Sequence, residues 1–335
     1  MSLAEDIKQK ALEVGFDLVG ITDAAPIAPK GVELLADWLR AGYAGRMSYM
    51  HRNFEKRINP AKLLEGAQSV ICVGLNYTPP KRSLSLRASR SDARQSHLQH
   101  TREPTGRIAN YAQYEDYHSF IKKRLRKLTE FIISLTGEDV KFKICVDSAP
   151  LAERVLAARA GLGFIGKNHM LINPELGPQI FLGEIVTTLS LQNDKRITGD
   201  CADCNKCIEA CPTGALRADG QFDANKCISY LTIEHKGEIP ADLAEKIGDR
   251  LFGCDECVLA CPYQQKAPVC QNRQFKFYTD RAELDLREIL SRPRPAGLPY
   301  NFEARFSDSV IKRLGLEGLK RNARVCLANI RKEKG

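Results

Sequence analysis

The stretch CADCNKCIEACPTGAL, residues 201–216, constrains this chain more than any other. Its four cysteines follow C-x2-C-x2-C-x3-C-P, and CDECVLACP, residues 254–262, repeats the latter part of that pattern. Three cysteines at such spacing wrap three corners of an iron–sulfur cubane, while the one before proline points away and ligates a neighbouring cluster. Two runs must therefore cross. Crossing assigns Cys201, Cys204, Cys207 and Cys261 to cluster 1, and Cys211, Cys254 and Cys257 to three corners of cluster 2. Leu251 stands where the first cysteine of the second run belongs. Cys227 and Cys270 are the candidates for the open corner. Cys227 lies between the runs, on the side of the missing ligand, and is assigned; residues 228–253 then form an insertion between two ligands. Zinc sites use paired CxxC units, so this spacing points to clusters.

Twelve cysteines without a secretory leader argue for metal or redox chemistry over disulfides. Cys72, Cys145 and Cys326 fall in apolar segments and read as small buried hydrophobes; Cys270 has no assigned place. The start, MSLAEDIKQKALEVGFD, carries acidic residues and no continuous apolar run, and no segment reaches membrane-span length. The expected location is the cytoplasm, with no membrane contact. A net charge of +9 permits an anionic partner but equally fits a solvated basic surface.

Residues 3–15, 31–50, 116–137 and 149–163 have helical periodicity; FDLVGITDA, SVICVGLNY, VKFKICVD and LINPELGPQIFLGEIVTTLSL read as strands. Helix and strand alternate through the first 190 residues, which argues an α/β domain. The Ser- and Arg-rich residues 81–106 have few large apolar side chains and are expected to form a flexible basic insert. GLGFIG, residues 161–166, matches a dinucleotide fingerprint, and GLGFIGK nearly matches a phosphate loop. Both motifs need strand, loop, helix; here the glycines follow a helix and lead to a strand, so both are rejected. The glycines instead allow close backbone approach. Asp147 ends a strand just before a helix. It reads as a helix cap or as a ligand contact at a strand C-terminus.

Taken together, KICVDSAPLAERVLAARAGLGFIGKN, FLGEI, CISYLTIEHKGEIP, FGCDECVLACP and RFSDSVIKRLGLEGLKRNARVCLANI resemble the epoxyqueuosine reductases, over residues 5–330. The resemblance implies an α+β/α/β multidomain fold. A nitroreductase-like α/β cobalamin-binding domain is expected over residues 1–195, and a ferredoxin-like domain with two 4Fe–4S clusters over 196–275. A basic helical, HEAT-like C-terminal segment follows over 276–335. The implied reaction is reduction of epoxyqueuosine in the tRNA anticodon loop, with electrons passing through two 4Fe–4S clusters to cobalamin. A stretched second cluster loop belongs to the family and supports Cys227. By resemblance Asp147 is the proton donor, and a desolvated site is expected to raise its pKa. Tyr117 and His118 are expected to support it, although His118 also reads as a helix-start histidine without a role. Arg57, Asn110, Asp147, Ser229, Lys236 and Asp255 are the expected corrin contacts. The cobalamin motif DxHxxG is absent: Asp116-Tyr117-His118 begins like it, but Ile121 replaces the glycine.

The expected partners are tRNA carrying epoxyqueuosine and an external low-potential electron donor, with the chain acting as a monomer. Arg292, Arg294, Arg305, Lys312, Arg313, Lys320, Arg321, Arg324, Arg331, Lys332 and Lys334 make the tail basic, as phosphate contact favours. Many relatives continue into HEAT-like repeats where this chain ends at Gly335, so part of that platform is expected to be missing.

Overall fold

A computed structural model describes residues 2–80, 104–291 and 301–332. Its first part contains helices α1 (Leu3–Glu13), α2 (Pro29–Arg40), α3 (Phe54–Ile58), α4 (Tyr117–Thr136) and α5 (Glu153–Arg159). The strands of this part are β1 (Leu18–Asp23), β2 (Ser69–Asn76), β3 (Thr105–Ile108), β4 (Phe142–Cys145), β5 (Phe164–Ile165), β6 (Leu171–Ile172) and β7 (Ile180–Thr187). The cysteine region carries α6 (Lys206–Glu209), α7 (Ile228–Ile233), α8 (Ala241–Ile247), β8 (Arg250–Phe252), α9 (Glu256–Leu259) and α10 (Pro262–Lys266). The tail adds β9 (Glu283–Asp285), α11 (Leu286–Leu290), α12 (Phe302–Arg305) and α13 (Gly315–Lys332).

The alternation read from sequence yields one sheet of order β1-β2-β7-β4, antiparallel at every pairing. β2 and β7 are central and almost continuously apolar, because both of their faces are covered. On one face Ile71, Val73 and Ile185 pack against Ile121, Leu125 and Leu128 of α4. On the other, Val70, Cys72, Cys145 and Val186 meet Leu156 and Ala157 of α5. Each fully buried side chain of this kind contributes about 1.5–3 kcal/mol of transfer free energy.

Three readings of the sequence change here. The helix expected over 31–50 stops at Arg40. Gly42 and Gly45 take left-handed φ of 70° and 58°, and a Cβ at Gly45 would meet the Tyr230 hydroxyl at 2.5 Å. The turn is shaped to seat α7, and the Arg46 N–H donates to the Tyr230 oxygen at 2.8 Å. The helix expected over 149–163 is shorter, Glu153–Arg159, because residues 146–151 make the tight turn that carries Asp147. The insert expected over 81–106 lies outside the described residues except at its end, where Thr105 and Gly106 are already strand β3.

β3 pairs in parallel with β8 and antiparallel with β9. Leu251, where a cluster ligand had been missing, is fully buried in β8 with its backbone in that sheet. A second core gathers Ile108 from the first part, Leu231 and Phe252 from the cysteine region, and Leu284, Phe306 and Cys326 from the tail. Three stretches distant in sequence thus close around one apolar centre, and α7, which follows Cys227, is clamped within it.

Candidate active site

The cysteines fall in two electrostatic neighbourhoods, although among the described residues no three metal-ligating side chains are drawn together closely enough to hold a metal ion as they stand. The Cys207 and Cys261 thiols are pushed up by burial and then by the neighbouring Cys201 and Cys204 sulfurs. Those of Cys254 and Cys257 are pushed up by burial and by Cys227, and Cys257 also faces Cys211. The first group is therefore 201, 204, 207 and 261; the second is 211, 227, 254 and 257. Cys270 stands apart, with Tyr114 and Asp17 as its neighbours. Thiols crowded in this way repel as anions and are relieved by binding cations, which suits cluster ligation. The rejected GFIGKN segment buttresses both groups. The Lys167 N–H points to the Cys201 sulfur at 3.4 Å, Lys167 Nζ donates to the Ala202 carbonyl at 2.9 Å, and Asn168 Nδ2 donates to the Cys257 carbonyl at 3.3 Å. Its glycines pack closely within the chain: a Cβ at Gly163 would lie 2.3 Å from the Ile172 carbonyl oxygen.

Asp147 lies at the C-terminal end of β4, with φ of +56°, a conformation disfavoured for any side chain beyond glycine. It does not cap α5; its own N–H is bound by Glu153 Oε1 at 2.5 Å. Its side chain remains 57 % exposed. His118, in the first turn of α4, is 4 % exposed. Its Nδ1 meets Asp116 Oδ1 at 2.7 Å and its Nε2 meets Asp147 Oδ2 at 3.1 Å. Asp116 also caps the helix, accepting the His118 N–H at 2.9 Å. Tyr117 stacks on Phe181, and its side chain hydrogen-bonds Asp147.

The expected rise in the Asp147 pKa is not what this geometry produces. Burial does push it up, but the hydrogen bonds from His118 and Tyr117 and the positive charges of His118 and Arg313 outweigh burial, so the net shift is down. His118 goes the other way. Burial pulls it down, and the Asp116 and Asp147 carboxylates more than compensate, so its pKa is raised. The labile proton of this pair therefore resides on the imidazole. Arg313 complicates that arrangement. Its Nη1 lies 3.0 Å from the same Nε2, and its Nη2 lies 3.8 Å from Asp116 Oδ2. Nε2 either accepts from the guanidinium or donates to Asp147, never both.

The other expected contacts have partners of their own. Arg57 donates to the Tyr49 carbonyl at 3.3 Å and feels Glu153 and Asp147, while its buried Nε has no acceptor among the described residues. The Asp255 carboxylate accepts the Asn110 N–H at 2.6 Å, and burial lifts its pKa to about 6. Burial lifts the Tyr49 hydroxyl to about 12, with Glu234 and Asp147 adding to the shift. The Ser229 N–H points at the Cys227 sulfur. Lys236 joins the neighbourhood only through its carbonyl, which accepts from Arg46 at 3.1 Å. Tyr49, Glu153, Glu184 and Asp116 escaped the sequence reading as functional residues, and Arg313 was read only as part of the basic tail. Glu184 alone carried a signal, as a carboxylate at an inward position of the apolar run IFLGEIVT. Among the described residues, no helix is long and apolar enough to cross a membrane.

Comparison with known proteins places this arrangement. The family model described as "Epoxyqueuosine reductase QueG, DUF1730" matches residues 57–148, and a 4Fe–4S double cluster binding domain matches residues 200–264. The epoxyqueuosine reductase of Vibrio cholerae is 37% identical over 327 residues, covering 98% of this chain and 83% of its own length. That of Leadbetterella byssophila is 38% identical over 320 residues, covering 95% of this chain and 96% of its own. The solved epoxyqueuosine reductase of Streptococcus thermophilus superposes with a TM-score of 0.81 at 30% identity, covering 98% of this chain and 82% of that one. An epoxyqueuosine reductase crystallised with an epoxyqueuosine-modified tRNA-Tyr stem loop superposes with a TM-score of 0.84 at 31% identity, covering 99% and 82%.

Proposed function

Because the chain belongs to the epoxyqueuosine reductase family, it is an oxidoreductase that reduces epoxyqueuosine to queuosine in tRNA, and we propose that Asp147 supplies the proton this reduction needs. The reaction consumes two electrons and two protons. Both epoxide carbon–oxygen bonds break, a carbon–carbon double bond forms, and the oxygen leaves as water. Oxygen departing from carbon is helped by a positioned acid, worth about 10²–10⁴-fold in rate. The observation that carries the reading is the short contact between Asp147 and a histidine that holds a proton for it. As negative charge builds on the leaving oxygen, the proton held at His118 Nε2 passes to the Asp147 carboxylate, which hands it on to the departing oxygen. Asp116 keeps the imidazole oriented and protonated. Tyr117 holds the carboxyl from the side.

The double-cluster domain, when its 4Fe–4S clusters are bound, would supply electrons one at a time. In this reading Cys201, Cys204, Cys207 and Cys261 hold one, and Cys211, Cys227, Cys254 and Cys257 the other. The side chains around Asp147 and Asp255 suit cobalamin. The unsatisfied Arg57 Nε and the lightly bonded Asp255 carboxyl leave a donor and an acceptor for a large ring rimmed with amides. Arg57, Asn110, Ser229, Lys236 and Asp255 would hold its edge. Bound there, cobalamin would supply a redox-active metal centre suited to two-electron chemistry.

The tRNA substrate approaches from the side of Asp147. A cleft of about 470 Å³ on the same loop, lined in part by Lys56, Lys122 and Lys143, offers positive charge to the RNA backbone. The basic tail is partly committed elsewhere: Arg321 donates to the carbonyls of Leu231, His235 and Gly237, and Lys332 pairs with Glu245. Arg292, Arg294 and Lys334 lie outside the described residues. An external low-potential donor feeds the clusters, and the chain works as a monomer in the cytoplasm. The anaerobic protein is expected to hold about eight irons and to take up one corrin per chain; cluster absorption without corrin uptake contradicts the cofactor assignment.

A further inference from the structure

Beneath the Asp147 turn lie two carboxyl groups that the proton-donor reading leaves unused. Glu153 opens α5, and its Oε1 accepts the Asp147 N–H at 2.5 Å. Behind it Glu184 sits in the middle of β7, fully buried, in register with Cys72 of β2 and Cys145 of β4. Neither Glu184 oxygen receives an N–H or O–H bond from the described residues. Its polar neighbour is the Glu153 carboxyl, within hydrogen-bonding reach. Two carboxylates cannot bond each other without a proton between them, and neither stays ionised cheaply in an apolar layer. The nearby cations are bonded to other groups, although Arg57 also acts on Glu153 through its charge. Arg154 donates to the His169 carbonyl, and Arg57 faces Tyr49.

We propose that Glu153 and Glu184 share one proton and together form a latch that holds the Asp147 turn in its left-handed conformation, with Glu153 as the positioning residue. The shared proton lets Glu184 donate to Glu153 and leaves Glu153 an oxygen with anionic character for the Asp147 amide, a stronger bond than a neutral acceptor makes. An aspartate at φ of +56° relaxes unless something holds it. Relaxation would carry the carboxyl away from His118 Nε2. The kinetic consequence rests on Asp147 being the proton donor; the latch itself does not.

The test uses the full-length protein loaded with its clusters and cofactor. It reads amide hydrogen exchange at residues 146–149 alongside kcat and KM. In Glu153→Ala, exchange at the Asp147 amide is expected to rise about tenfold or more, and kcat to fall about tenfold, with KM for the tRNA and the iron content unchanged. Glu153→Gln keeps an acceptor for the amide and a donor for Glu184, so it should restore both readouts to within about threefold. Glu184→Gln replaces the shared proton with an amide hydrogen and should behave as wild type. Unchanged exchange in Glu153→Ala overturns the latch, whatever happens to kcat. Damage in Glu153→Gln equal to that of Glu153→Ala also overturns it, as does about tenfold faster exchange in Glu184→Gln. Raised exchange with unchanged kcat keeps the latch and instead removes Asp147 as proton donor.

Discussion

The electron half and the proton half of this molecule are built on different principles. The cysteine groups come from two short runs and one outlying residue, within residues 201–261, each run wrapped around a one-turn helix. The proposed proton site draws on four separated places: Tyr49 and Arg57, Asp116 to His118, Asp147, and Arg313. Local chain geometry fixes the first. Tertiary packing fixes the second, through α4 and α5 on opposite faces of one sheet. A cluster needs thiols at set spacing, whereas an acid needs an environment, and environment is not a local property of the chain.

The largest break in this comparison comes from Cys227. Cys227→Ala should lose one cluster, about four irons of eight, and all turnover, while Cys270→Ala keeps both. Iron analysis of the two variants decides it, and the reverse pattern would move the ligand. On the proton side, His118→Gln should cost about 10²-fold in kcat with iron content unchanged. Loss of iron in that variant would mean that the two halves are not separable.

A finer test uses pH. The raised His118 pKa means that the proton-loaded pair is present at low pH and is lost as pH rises through that pKa. Asp116→Asn removes the carboxylate that raises it most, so the alkaline limb of kcat should move to lower pH, by about one unit. Arg313→Gln removes a cation that opposes protonation, so the limb should move to higher pH. Shifts of the same sign in both variants would contradict the assignment of Nε2 as the shared atom. The smallest effect concerns stability. Burial and the Asp147 charge lift the Glu153 pKa to about 7. Its folded state therefore binds a proton that the unfolded state releases near pH 4.5, and stability falls as pH rises from there through about 7. Glu153→Gln should flatten this slope, changing Tm by about 2 °C across the window.

The same contrast explains what could be read from the chain before its structure. The double-cluster domain was legible, and Cys227 could be proposed as a ligand, because a gap at Leu251 has meaning only inside a spaced motif. The strands around β2 and β7 were legible from their apolar runs, but not that the sheet is antiparallel, since alternation of helix and strand does not specify strand direction. Asp147 stood out only by resemblance; on its own it read more readily as a helix cap. The direction of its pKa could not be foreseen, because the groups that lower it, His118 and Arg313, lie far away in sequence. Arg313 looked like one basic tail residue among eleven, and only the packing of the tail against α4 brings it to His118.

The central claim is that electrons and the proton reach the epoxide from these two separate constructions. Single turnover of Asp147→Asn tests it most directly, with pre-reduced clusters, bound cofactor and epoxyqueuosine tRNA. The account predicts full iron content, normal tRNA binding and clusters that accept electrons, with queuosine formation slowed by about 10²–10⁴-fold. Queuosine formed at the wild-type rate in that variant would contradict it.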